Sequence, residues 1–227
     1  GYGTINQNHN VNIPIADMNT DPTTGNKRAL LDKVFQTYPY NGTPLRQNLQ
    51  LVGTYYKSGT SAHTLFSTAQ SSPILSAANG GSCQLNFAIL MTDGFYNGSS
   101  PSVGNADGDH DTAFDGPPYA DSYKNTLADV AMYYYEHDLN TSLPNDVPTV
   151  PGVDDATHQH MVTYTVALGV TGTLDPTTAD PTASGFSWPN PANGDAQKID
   201  DLWHAAYNGR GGFFSAQNPN QLTTTLE

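Results

Sequence analysis

The chain predicts an α/β fold, a mostly parallel sheet with helices on both faces. Two apolar runs, Phe87 to Met91 and Met161 to Val170, have the length and composition of buried strands, and stretches with helical spacing lie between and around them. Strands separated by helices in this order require crossover connections, which join parallel strands. At 227 residues and 24.3 kDa the length fits one elaborated domain, 1–227, cut at both ends and carrying loop insertions at about 95–122, 140–158 and 172–197.

Tyr2 to Asn6 and Val11 to Ala16 read as short strands, the second with Val11, Ile13 and Ile15 alternating against polar or neutral neighbours. Ala29 to Phe35 places Leu30, Leu31, Val34 and Phe35 at helical spacing, and the turn-prone Tyr38-Pro39-Tyr40-Asn41-Gly42 ends it. Thr43 then reads as an N-cap with Pro44 at the first helical position, and Leu45, Leu49, Val52 and Tyr56 trace one apolar face. Ser58 to Ser82 is small and Gly/Ser-rich, with a short helix expected near His63 to Ala69.

Phe87, Ala88, Ile89, Leu90 and Met91 form an unbroken apolar run, which predicts a strand buried on both faces. Tyr123 to Leu139 reads as a long helix with Leu127, Val130, Ala131 and Tyr134 as its buried stripe and Asp121 or Ser122 as its cap. Helical geometry sends Tyr133, Tyr134 and Tyr135 in different directions, some to the core and some to the surface. Met161 to Val170 is the next strand, Ile199 to Tyr207 a short helix with Leu202, Trp203 and Ala206 inward, and Gly212 to Ala216 a final strand. Pro219 after Asn218 opens one more helix.

The formal charge of −13, from 8 Lys+Arg against 21 Asp+Glu, argues against nucleic acid and anionic membranes as partners and makes cations the natural counter-species. Only 13% of residues are charged, while Asn, Thr, Ser, Gly and Tyr are abundant, the composition of a secreted or surface protein. Cys83 has no second cysteine in the chain to pair with, so a buried thiol is the default and a bond to a partner the alternative. No apolar run approaches the roughly 20 residues of a membrane helix, and the first residues lack the basic-then-apolar signature of a signal peptide.

Three groups of residues bear on chemistry. Asp93 follows the first buried strand directly and precedes Gly94; ligands bind at that edge of open α/β sheets, so Asp93 is a candidate metal or catalytic carboxylate, with a plain turn cap as the alternative. Asn105, Asp107, Asp109 and Asp111 present alternating side-chain oxygens that can converge on Ca²⁺. The match to an EF-hand loop is imperfect, because the sixth and twelfth positions counted from Asn105 hold His110 and Gly116 where Gly and Glu are required; a solvated acidic loop is the alternative. His158 and His160, near Asp154 and Asp155, have the spacing of a Zn²⁺ pair in a secreted metallohydrolase, but no third His stands at a telling distance and no Gly-x-Ser-x-Gly, His-Glu-x-x-His or phosphate loop is present.

Four segments carry a resemblance: Asn41-Gly42-Thr43-Pro44-Leu45, then LMTDGFYN from Leu90 to Asn97, NTLADVAMYYY from Asn125 to Tyr135, and KIDDLWHAAYNGRGGFFSA from Lys198 to Ala216. Together they resemble the von Willebrand factor A-like domain of the type IV pilus tip-associated adhesins, the PilY family, over nearly the whole chain. The resemblance implies a Rossmann-like A domain, extracellular at a pilus tip or cell surface, that supports pilus assembly and attachment without enzymatic activity. Its implied partners are other pilus-tip proteins and a surface or host receptor. Such domains hold a divalent cation, Mg²⁺ or Ca²⁺, on the carboxyl edge of the sheet; position by position, Thr43 would supply the hydroxyl and Asp93 the carboxylate. The family's Asp-x-Ser-x-Ser element has no match here, and its strand is expected upstream of Gly1. A structural tip module without a working metal site, and a secreted metal-dependent hydrolase, are the alternatives.

Overall fold

The computed structural model describes residues 1–5, 11–38, 42–58 and 70–216. Strands β1 (Tyr2–Gly3) and β2 (Val11–Ile13) pair antiparallel as a separate ribbon rather than entering the main sheet. Two helices follow, α1 (Gly25–Phe35) and α2 (Leu45–Ser58). Then come β3 (Asn86–Thr92), α3 (Leu127–Glu136), β4 (Met161–Leu168), α4 (Asp195–Asn208) and β5 (Arg210–Ala216). The last three strands form a parallel sheet in the order β3-β4-β5, joined by α3 and α4 as crossovers. The expected helices near His63 to Ala69 and after Asn218 lie outside the described residues.

The register runs from Asn86 opposite Met161 to Thr92 opposite Ala167, so alternate residues of β3 and β4 share a face. Ala88, Leu90, Met161, Thr163, Thr165 and Ala167 are buried, and α2, α3 and α4 pack over that side with Leu45, Leu49, Leu127, Val130, Ile199 and Leu202. Thr165 Oγ1 donates to the Leu202 carbonyl at 2.8 Å, tying the sheet to α4. Full burial of each large aliphatic side chain in this layer contributes about 1.5–3 kcal/mol.

On the opposite face Phe87, Ile89 and Met91 are 48%, 69% and 43% exposed, which corrects the expectation of a strand buried on both sides. Among the described residues α2, α3 and α4 cover one face only, and β3 is the terminal strand of the order. An unbroken apolar run records that both faces avoid charge; it does not record which of them another element covers.

Other boundaries shift for local reasons. α1 forms where expected but buries none of its residues; Phe35 is 81% exposed. α2 begins at Leu45, leaving Pro44 one residue before it, a difference within the ordinary uncertainty of helix ends. α3 starts at Leu127 because Thr126 and Asp129 form a capping box: the Thr126 hydroxyl accepts from the Asp129 N–H at 3.0 Å, and Asp129 accepts the Thr126 N–H at 2.8 Å. That pair displaces the cap expected at Asp121 or Ser122. Tyr134 and Tyr135 are buried and Tyr133 is half-buried, the division helical geometry requires. Trp203 is half-buried against Trp188, while Leu202 and Ala206 are buried as expected. Cys83 is exposed, correcting the expectation of a buried thiol. No helix among the described residues is long and apolar enough to cross a membrane.

Candidate functional site

At the carboxyl end of β3 the chain turns through Thr92, Asp93 and Gly94, with the Gly94 N–H donating to Thr92 Oγ1 at 3.2 Å. Asp93 is exposed there. A few residues on, the Asn97 N–H donates to the Thr43 carbonyl and the Thr43 N–H donates to Asn97 Oδ1, both at 2.9 Å. These reciprocal bonds hold the entrance of α2 against the turn that carries Asp93. Arg46 adds to the clasp by donating to the Gly98 carbonyl (3.1 Å) and Ser100 Oγ (2.7 Å), its guanidinium 4.8 Å from the centre of the Tyr96 ring. Thr43, half-buried, and Asp93 thus lie on two loops brought side by side at the sheet edge.

The acidic stretch after it divides. The Gly108 N–H donates to the Asn105 carbonyl at 3.0 Å, a tight turn in which a Cβ on residue 108 would lie 2.3 Å from Asn105 Nδ2 and 3.1 Å from the Asp121 carbonyl, so any larger residue would push the Asn105 amide aside. The turn sends Asp107 inward, fully buried, and leaves Asp109 and Asp111 exposed beside Asp115. Asn105 points its Nδ2 at the Asp121 carbonyl (3.3 Å), and its Oδ1 is buried without a hydrogen-bond partner. The four oxygens singled out from the sequence therefore fall into an inward and an outward group.

The inward group meets α4. Asp201, His204 and Asn208 recur at i, i+3 and i+7 and are all buried. Asp201 accepts from the N–H groups of Leu127 (2.9 Å) and Ala128 (3.0 Å) at the start of α3 and from the Tyr96 hydroxyl (2.7 Å), a favourable place for a carboxylate at a helix N-terminus. His204 stacks on Trp188 with ring centres 4.1 Å apart, and burial lowers its pKa to about 3, which keeps the ring neutral. Around it, burial first and neighbouring carboxylates next push Asp107 up to about 6, Asp121 to about 7 and Asp129 to about 8. The sequence offered Asp121 only as a helix cap and did not single out His204 as a ligand. The polar line along α4, on a helix flank that also buries Leu202 and Ala205, is the signal that points to His204.

His158 and His160 serve the fold. His158 Nε2 lies 2.8 Å from the Tyr135 carbonyl, and His160 bridges the His158 carbonyl (2.7 Å) and Asp154 Oδ2 (3.2 Å). Among the described residues neither joins a group of three metal-ligating side chains.

Comparison with known proteins gives relatives of one kind. The chain is 37% identical, over 219 residues covering 82% of it and 18% of the relative, to the type IV pilus biogenesis factor PilY1 of Pseudomonas aeruginosa strain PAK. It is 34% identical over 215 residues, 80% of it and 18% of the relative, to the protein of the same name in strain UCBPP-PA14. The chain spans less than a fifth of the length of these curated relatives. No family model matches the chain, and no solved structure matches it.

Proposed function

We propose, from the homology of this chain to the PilY1 type IV pilus biogenesis factors, that it is a non-enzymatic adhesion and pilus-assembly module of the PilY family, with the fold of a von Willebrand factor A-type domain. It acts outside the cell at a pilus tip or surface, beside other pilus-tip proteins, and neither nucleic acid nor membrane insertion enters its work. A surface or host ligand binds through a divalent cation, Mg²⁺ or Ca²⁺, at the carboxyl edge of the sheet. The observation that carries this reading is the pair of Thr43–Asn97 hydrogen bonds, which brings the Thr43 loop to the turn bearing Asp93.

The donor chemistry fits such an ion as far as these residues go. A threonine hydroxyl and an exposed carboxylate are hard oxygen donors, and Mg²⁺ keeps several waters when bound by few protein groups. Thr43 and Asp93 would hold the cation, and the cation would offer a remaining position to a carboxylate on the partner. The protein's own part is positional: Asn97 and Arg46 hold the Thr43 loop and α2 against the connection that follows Asp93.

The test uses the full-length protein, scoring surface pili and attachment with and without a chelator. Asp93→Ala is expected to abolish cation-dependent attachment while the melting temperature is retained; attachment that is unchanged and indifferent to chelator defeats the reading. The exposed strip of Phe87, Ile89 and Met91 favours a second reading, a structural module that packs on other pilus components. In that case Ile89→Asp disrupts assembly and Asp93→Ala does nothing.

A further inference from the structure

The loop between β3 and α3 meets α4 around Asp107, Asp121 and His204, whose ligating atoms lie within 4.8 Å of one another. The three side chains are 0%, 6% and 2% exposed. Asp107 is satisfied: its Oδ1 accepts the Asp121 N–H at 3.1 Å and its Oδ2 accepts the Asn208 amide at 2.9 Å. Asp121 is not. Its Oδ2 is buried with no hydrogen-bond partner and faces His204 Nδ1 at 3.6 Å.

The tautomer of His204 follows from its surroundings. Nε2 lies 2.5 Å from the Tyr119 carbonyl, which only accepts, so Nε2 carries the hydrogen and Nδ1 of the neutral ring presents a bare lone pair. A carboxylate lone pair and an imidazole lone pair then oppose each other in a dry site, which is unfavourable unless a proton on the carboxyl or a metal ion lies between them. The donation from Nε2 to a backbone carbonyl is also the arrangement that orients metal-ligating histidines and fixes their tautomer. Two ligands on one tetrahedral ion with bonds of about 2.0–2.1 Å stand about 3.3–3.4 Å apart, close to the 3.6 Å between Asp121 Oδ2 and His204 Nδ1.

We propose that Asp107, Asp121 and His204 form a buried site for a divalent transition-metal ion of the Zn²⁺ class, which fastens the β3–α3 loop to α4; Nδ1 of His204 faces Asp121, and Asp107 Oδ2 lies 3.4 Å from Nε2. One imidazole with two carboxylates suits Zn²⁺ or Mn²⁺ better than Mg²⁺ or Ca²⁺, which prefer oxygen alone. Asn105 Oδ1 and Asn208 Oδ1, buried and without partners, are further oxygens beside these residues. Burial leaves no open face for a partner, so the ion is structural and separate from the sheet edge at Thr43 and Asp93. Trp188 shields it: its ring lies flat on His204, and its Nε1 donates to the Pro118 carbonyl at 3.0 Å.

The experiment strips the purified chain with a chelator and adds back Zn²⁺, Mn²⁺, Ca²⁺ or Mg²⁺ singly, reading metal content, melting temperature and the visible spectrum of a Co²⁺-loaded sample. One equivalent of Zn²⁺ is expected, with a rise of about 5–10 °C when the free ion exceeds its dissociation constant a hundredfold. Asp121→Asn, which removes the unpaired charge and so keeps the fold, and His204→Gln should each abolish the rise and the Co²⁺ absorption; Asp109→Asn with Asp111→Asn should leave both intact. A folded chain that binds none of the four ions overturns the site. So does Zn²⁺ binding that survives Asp121→Asn and His204→Gln, Zn²⁺ binding that is lost with Asp109 and Asp111, or a rise with Ca²⁺ or Mg²⁺ that exceeds the Zn²⁺ rise and disappears in Asp121→Asn.

Discussion

Asp93 and Asp121 both stand on the connection between β3 and α3, yet Asp93 is exposed just beyond β3 while Asp121 is buried with an oxygen that meets no donor. Water solvates the first at little cost, and its carboxylate is free for an outside partner. The second is tied to the packing of a loop on a helix, and its charge must be balanced within the fold. Two acidic positions of one chain thus differ in which property they control: binding at the sheet edge, stability under the loop.

That contrast is sharpest at His204. His204→Ala removes the ring stacked on Trp188 and the bond to the Tyr119 carbonyl, and it leaves a cavity beside Asp107 and Asp121. The expected loss is about 3–5 kcal/mol, read from the denaturant midpoint. A loss under about 1 kcal/mol would mean that the buried cluster does not hold the loop. Arg210 comes next. Its guanidinium lies 3.6 Å from the Tyr119 ring centre and 4.2 Å from that of Tyr135, and it donates to the carbonyls of Phe114 and Asn208 at 3.2 and 2.7 Å. Arg210→Ala should cost about 2 kcal/mol and raise amide exchange in the β3–α3 loop ahead of the β3–β5 sheet. Uniform loss of protection across both would show that the loop is not a separable unit.

The same contrast sets a pH dependence. Asp107, Asp121 and Asp129 have folded pKa values of about 6, 7 and 8, and Glu136, again chiefly through burial, one of about 7. Each is raised, so the folded chain holds protons that the unfolded chain releases above about pH 4; their stabilisation is present at low pH and disappears as pH climbs through the folded values. His204, lowered to about 3, acts in the opposite sense between about 3 and 6.5 and contributes no slope above that. The chelated protein should therefore lose stability between about pH 6.5 and 8, by up to about 1.4 kcal/mol per pH unit for each proton released. Bound metal should flatten or reverse the slope, because the ion requires deprotonated ligands. Urea midpoints at the two pH values, with chelator and with Zn²⁺, check both statements; a metal-free slope of zero would break the comparison.

The parallel strands and α2, α3 and α4 were legible in the sequence because their apolar residues recur with the period of the element: Leu45, Leu49 and Tyr56 on α2, Leu127, Val130 and Ala131 on α3. The one-sided burial of β3 was not, since Ile89 and Leu90 look alike until a helix covers one of them. Thr43 and Asp93 could be paired because family motifs carry both, whereas Asp121 and His204 belong to segments that only the folded loop brings together. Asp107 was visible as part of an acidic run, but the run reads as one surface, and the turn at Gly108 divides it. Local periodicity reports elements; the buried cluster is a product of their packing.

The smallest expected effect on stability falls at the other pole. Asp93→Ala removes an exposed carboxylate from a turn held by the Gly94–Thr92 bond and by the Thr43–Asn97 pair, none of which uses the Asp93 side chain. Stability should change by no more than about 0.5 kcal/mol, as for surface positions generally. Asn97→Ala is the informative companion, because it removes the Oδ1 that accepts from Thr43 while leaving both proposed ligands in place. If attachment depends on Thr43 and Asp93 facing one ion, Asn97→Ala should weaken it in proportion to the lost positioning, with partial recovery at higher Mg²⁺. Asp93→Ala should show no recovery at any concentration. Equal attachment in wild type and both variants would leave the sheet edge without a role, and binding would then have to be sought on the exposed face of β3.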